Sequence, residues 1–175
     1  MKKIRTNTPE HSSRTLLSLL AWLLLAARAL ALDPVLPNPT LTPGEMLPQF
    51  SQDDICALGF AKAHRPSRTE STALKKLVFE RYGIAWSRHA EFELDHDIPL
   101  CLGGSNALAN LWPEPFSGSW NAYLKDDLEI WLYDQVCAGT MSLRDAQEQI
   151  STNWIECYKR AFGDPYSESE SVSQK

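Results

Sequence analysis

Residues Glu93–Pro115 read ELDHDIPLCLGGSNALANLWPEP, and the reading of this stretch decides the fold. At its start Phe92, Leu94 and His96 alternate with Glu93, Asp95 and Asp97. A period of two residues places these sets on opposite faces of a strand. Pro99, Gly103 and Gly104 then turn the chain, and Asn110, Leu111 and Trp112 begin a return path. Two short antiparallel strands joined by a loop are predicted.

Outward from this hairpin the period changes from two to about 3.6. On the amino-terminal side, Thr69–Tyr82 carries Leu74, Leu77, Val78 and Tyr82 at helical spacing, and Gly83 is a stop. Residues 52–63 are predicted as one short helix with Ile55, Cys56, Leu58 and Phe60 as its apolar members, broken by His64–Arg68, HRPSR. On the carboxy-terminal side, Ser119–Ala138 places Leu124, Leu128, Trp131, Leu132 and Val136 on one helical face. Ser142 with Asp145 resembles a capping box, and Leu143, Ala146, Ile150, Trp154, Tyr158 and Ala161 continue a last helix to Gly163. Helices flanking one hairpin define an α+β domain over residues 52–165. Residues 32–51, with Pro34, Pro37, Pro39, Pro43 and Pro48, suit an extended arm without helix, and residues 166–175 a frayed tail.

At 175 residues, with 8 Gly, 11 Pro and no fixed-period repeat, the chain fits one modest core and excludes collagen-like, solenoid and propeller architectures. Lys2, Lys3, Arg5 and Arg14, then the apolar run TLLSLLAWLLLAA (Thr15–Ala27) and the small residues Ala29 and Ala31, have a signal-peptide layout with cleavage after Ala31. The run is shorter than the roughly 20 residues of a spanning helix, so no lasting membrane association is expected. The product would be periplasmic or extracellular. All four cysteines (Cys56, Cys101, Cys137 and Cys157) follow residue 31, and an even number in an oxidising compartment implies two disulfides. Their spacing fits no zinc knuckle. Of three possible pairings, Cys56 with Cys137 and Cys101 with Cys157 is the one adopted.

The chemistry-bearing residues lie in and just after the hairpin. Asp95 and Asn121 are 26 residues apart, and a strand-loop-strand-helix unit returns the helix start to the end of the first strand. Their oxygens could then share one hard divalent cation such as Mg²⁺, leaving its other positions to water and phosphate. His96, on the opposite side of the strand from Asp95, is left free to handle protons.

ELDHDIPLCLGGSNALANLWPEP followed by WNAYLKDDLE (Trp120–Glu129) resembles the HNH, or ββα-metal, endonucleases. Together with VCAGTMSL, AQEQI and NWIECY, it is similar to exported bacterial HNH-type proteins. That resemblance implies an HNH-like ββα-metal core. It makes His96 the general base, Asp95 and Asn121 the ligands of Mg²⁺ or Mn²⁺, and Asn110 the residue that fixes the loop and helps orient His96. Asn106 competes with Asn110 for that position. The implied reaction is endonucleolytic hydrolysis of phosphodiester bonds in DNA, with RNA left open. The sequence departs from the commonest family pattern in having Asn121 rather than His at the third position and in lacking paired zinc-knuckle cysteines.

Charge qualifies this reading. Without residues 1–31 the chain has 12 basic against 21 acidic residues, a net charge of −9 that discourages nucleic-acid binding. Residues 62–88 alone are basic, at +5, and there Arg65, Arg68, Lys75, Lys76 and Arg88 are candidate phosphate contacts. His89 is a candidate for a further phosphate or metal contact, whereas Lys125 and Asp126 read as an exposed helix pair. The competing function is a non-catalytic exported binding or structural module on the same fold.

Overall fold

The computed structural model describes residues 35–167. The expected signal peptide, residues 1–31, and positions 168–175 of the expected tail lie outside the described residues. The elements in chain order are α1 (Gln52–Ile55), α2 (Phe60–His64), α3 (Arg68–Tyr82), β1 (Phe92–His96), β2 (Leu111–Pro115), α4 (Ala122–Cys137) and α5 (Leu143–Phe162). Short 3-10 turns occupy Trp86–Glu91 and Leu100–Leu102. The architecture is α+β, with one two-stranded antiparallel sheet.

The hairpin forms where the period of two predicts it. Phe92 pairs with Pro115, Glu93 with Glu114, Leu94 with Pro113, Asp95 with Trp112 and His96 with Leu111. Because alternate residues face opposite sides, Phe92 meets Phe79 of α3 edge to face at 5.7 Å, while Asp95 faces α4. The sheet is thus sandwiched between α3 and α4. Beyond it, Trp112, Leu128, Leu132, Val136, Ile150 and Trp154 form the centre of the core. Full burial of an aliphatic side chain such as Leu128 or Leu132 contributes about 1.5–3 kcal/mol.

Local sequence accounts for the helix ends. Ser67 and Glu70 complete a reciprocal capping box at the start of α3, and Ser142 Oγ accepts from the Asp145 N–H at the start of α5. The single helix predicted over 52–63 is instead two, α1 and α2. Gly59 between them adopts φ +86°, a left-handed conformation that interrupts a right-handed helix. On α3, Val78 and Phe79 are the buried residues and Leu77 is exposed, so its inward face is rotated from the predicted one.

The Pro-rich arm has no helix over residues 35–49 and straps the β1–β2 loop. Gly44 N–H donates to the Ala109 carbonyl, Leu47 N–H to Gly103 and Ser105 N–H to Glu45. Thr42 Oγ1 donates to the Leu111 carbonyl. At the start of the expected tail, the exposed Tyr166 ring lies 5.5 Å from that of Trp120 and its hydroxyl donates to the Ser119 carbonyl.

One disulfide joins Cys56, at the end of α1, to Cys137, at the end of α4, and fits an oxidising, exported environment. The second expected bridge is not formed. Cys101 and Cys157 are free thiols, because Cys101 points to the Glu129 carbonyl of α4 whereas Cys157 lies beside Arg160 of α5. Among the described residues, no helix is long and apolar enough to cross a membrane.

Candidate functional site

His96 ends β1 with its ring held on one side. Asn106 Nδ2 donates to the His64 carbonyl at 2.8 Å, which turns Oδ1 of Asn106 toward the imidazole, 2.9 Å from Nε2. An amide oxygen only accepts, so Nε2 carries the proton and the lone pair of the neutral ring resides on Nδ1. Burial pushes the His96 pKa below its ordinary value, against the opposing pull of Asp95 and Asn106. The imidazole is therefore neutral at pH 7 and able to accept a proton at Nδ1.

Asn110 is fully buried and organises the loop that carries Asn106. Its Oδ1 accepts from the Ile98 and Glu45 N–H groups, and its Nδ2 donates to the carbonyls of Ile98 and Ser105. This satisfies the whole side-chain amide with backbone partners. Gly104 closes the same turn, and a Cβ there would fall 1.7 Å from the Ile98 carbonyl oxygen. Asn110 thus fixes the loop, while the group that holds the His96 ring is Asn106.

On the other side of β1 the structure differs from expectation. Lys125, read from the sequence as exposed, is 1% exposed. Its Nζ lies 2.6 Å from Asp95 Oδ2, 2.5 Å from Glu129 Oε1 and 2.8 Å from the His96 carbonyl oxygen. It sits inward because it is spaced with Leu128 and Leu132 on the buried face of α4. Burial pushes the Asp95 carboxyl up, but the Lys125 ammonium and hydrogen bonds from Glu114 and Lys125 together outweigh this and hold it below the usual range. The neighbouring acids go the other way. Burial and the Asp95 charge raise Glu114 well above its ordinary value, so that its protonated carboxyl donates to Asp95. Burial raises Glu129 to about 8, and burial with Asp95 and Asp126 raises Glu93 to about 7. Lys125 thus makes two close ion pairs, with Asp95 and Glu129, among acids whose pKa values are raised.

Asn121 is engaged elsewhere. It caps α4, its Oδ1 accepting from the Tyr123 and Leu124 N–H groups and its Nδ2 donating to Gly118. The residue of α4 that reaches Asp95 is Lys125, one turn further on. With Asp95 held by Lys125 and Glu114, and Asn121 by its helix, the donors in place do not fit a shared divalent cation. Among the described residues, no three His, Cys, Asp or Glu side chains are arranged to hold a metal ion.

The basic residues divide similarly. Arg65, Arg68 and Lys75 line an open cleft of about 590 Å³ with Trp86, His89 and Phe116, over the Phe92–Leu94 edge of β1. Lys75 Nζ donates to the His89 and Phe92 carbonyls, bracing the cleft wall. Arg65 contributes to the field at Glu93 and His96, linking the cleft to the β1 end. Lys76 lies over the Trp86 ring at 5.4 Å, while Arg88 pairs with Glu91 and covers Phe92. The Arg88 guanidinium is thus engaged by Glu91 and the Phe92 ring, unlike the cleft-lining Arg65 and Arg68.

Sequence reading missed Lys125, Glu114 and Glu129 as a buried set. The signal available was the i, i+4 spacing of Lys125 and Glu129 in KDDLE. No family model matches the chain, and no characterised protein or solved structure is significantly similar to it.

Proposed function

We propose that the protein is an exported endonuclease of the HNH type, hydrolysing phosphodiester bonds in nucleic acid, with His96 as general base. The observation that carries this reading is the Asn106 amide. It fixes the proton on His96 Nε2 and leaves a neutral Nδ1 on a residue whose field includes Arg65, a lining residue of the cleft that runs along Phe92–Leu94 of the same strand. From that position Nδ1 takes the proton of the attacking water, while Arg65 and Arg68 bear the phosphate charge. Lys125 is buried and acts as a positioning residue, tying the Asp95 side chain and the His96 backbone to α4. A divalent cation was expected at Asp95 and Asn121. Those donors are otherwise engaged, Asp95 by Lys125 and Asn121 by the start of α4.

The test is nicking of supercoiled plasmid by oxidised protein, with Mg²⁺, with Mn²⁺ and with chelator, in parallel with His96→Ala. Nicking that disappears in the variant supports the reading, and the chelator arm decides whether the reaction needs a cation. No nicking by well-folded protein under any condition overturns it.

The ion pair between Asp95 and Lys125 favours a second reading, an exported binding module that keeps the fold without catalysis. It requires that nucleic acid bind and remain intact.

A further inference from the structure

We infer that the cleft beside β1 binds single-stranded nucleic acid, stacking an unpaired base on His89 and holding the adjoining phosphates with Arg65 and Arg68. This rests on the proposed nuclease reading for its biological setting, but its own support is the chemistry of the cleft wall.

The Trp86 and His89 rings are stacked at 4.9 Å and 13°, and the His89 Nδ1–Trp86 carbonyl contact of 3.0 Å fixes the histidine in that pose. Trp86 is in turn backed by Phe79 at 5.7 Å, so the stack is anchored in the core. His89 is exposed, and its outward ring face is the end of the stack. Phe116 lines the same cleft, and its ring lies 5.9 Å from that of Tyr123, which is 62% exposed. Solvent-facing aromatic rings beside two exposed arginines are costly for an isolated surface but suit a ligand of alternating planar bases and anionic phosphates. A duplex hides its base faces, so only unpaired nucleotides satisfy both halves of the wall. Arg65, Arg68 and Lys75 of the cleft all come from residues 62–88, the one basic segment after residue 31.

The test measures equilibrium binding of a fluorescein-labelled 12-nucleotide oligothymidylate, a 12-base-pair duplex, heparin and polyglutamate to oxidised protein, in chelator and in the His96→Ala background so that nothing is cleaved. Oligothymidylate is expected to bind at least ~10-fold more tightly than duplex, with His89→Ala weakening it by roughly 5–150-fold, the range for loss of one stacking platform. Arg65→Ala with Arg68→Ala should make log Kd less steep in log salt by about 1.4, the value for two phosphate contacts. Trp86→Ala supplies a second stacking variant, scored only where its circular dichroism matches wild type.

Equal affinity for oligothymidylate, duplex and heparin overturns the inference, as does tighter binding of polyglutamate or an unchanged Kd in His89→Ala. Tight oligothymidylate binding by a wild-type protein that cleaves nothing keeps this inference and removes the nuclease. Plasmid cleavage without single-strand preference does the reverse.

Discussion

Lys125 Nζ lies 2.6 Å from Asp95 Oδ2 and 2.8 Å from the His96 carbonyl oxygen, so one buried ammonium clamps both members of the acid-imidazole pair to α4. Removing it leaves Asp95 without its counter-charge among Glu114 and Glu129. Loss of one partner of a buried pair costs about 3–5 kcal/mol. Lys125→Met is expected to lower unfolding free energy in urea by that amount, and adding Asp95→Asn to restore at least about 1 kcal/mol. A loss below about 1 kcal/mol in the single variant contradicts the buried-pair account.

Asn110 makes four hydrogen bonds to backbone groups across the β1–β2 loop. Asn110→Ala strands those partners and is expected to cost about 3–5 kcal/mol, since buried unsatisfied groups each carry about 1–3 kcal/mol. Gly104→Ala, whose Cβ meets the Ile98 carbonyl oxygen, should destabilise comparably without removing any bond. Urea denaturation checks both. Near-wild-type stability in either variant would mean that the loop is not held as described.

Stability should depend on pH through the buried acids. Burial raises Glu93 and Asp97 to about 7 and Glu129 to about 8. A carboxyl raised in the folded state keeps a proton that the unfolded chain releases, so its contribution is complete below its ordinary pKa and lost as pH rises through 7–8. His96, lowered by burial, acts oppositely and only as pH falls through its ordinary value. Between pH 6.5 and 8.5 the melting temperature is therefore expected to fall with rising pH. Glu129, raised furthest of the three, should dominate the change above pH 7, whereas Asp97, 2% exposed with Oδ1 unpartnered, contributes mainly below it. Asp97→Asn is expected to flatten the profile below about pH 7 and add about 1–3 kcal/mol at pH 8, leaving the fall above pH 7 in place. A rising or flat wild-type profile in this window contradicts the assignment.

Cys56 and Cys137 enclose a sequence separation of 81 residues. Closing a loop of that length is worth roughly 4–5 kcal/mol by the chain-entropy estimate. Alkylation of unreduced, denatured protein is expected to add two labels, at Cys101 and Cys157, and reduction to lower stability by several kcal/mol. No label without reduction would mean that a second bridge forms.

The hairpin, α3, α4 and α5 were legible because each buries one face and so writes its period into the sequence. Leu128, Leu132 and Val136 are buried where the pattern placed them. The arm was legible from its prolines. Lys125 was not, because a charged residue at a helical core position reads as an error in the pattern until its partners are known. Those partners, Asp95 and Glu114, lie on separate strands. Asn121 was ambiguous for a different reason: Asn serves equally as a cation ligand and as a helix cap, and the local cap won. The choice between Asn106 and Asn110 turned on a loop path that spacing alone does not define.

The most direct test of the account is the initial rate of plasmid nicking by oxidised wild type and His96→Ala, compared at equal folded concentration with melting temperatures measured on the same samples. Loss of a general base is expected to lower the rate by about 10²–10⁴-fold while the melting temperature stays within a few degrees. Equal rates in the two proteins, or no nicking by folded wild type with Mg²⁺, Mn²⁺ or chelator, would contradict a catalytic His96.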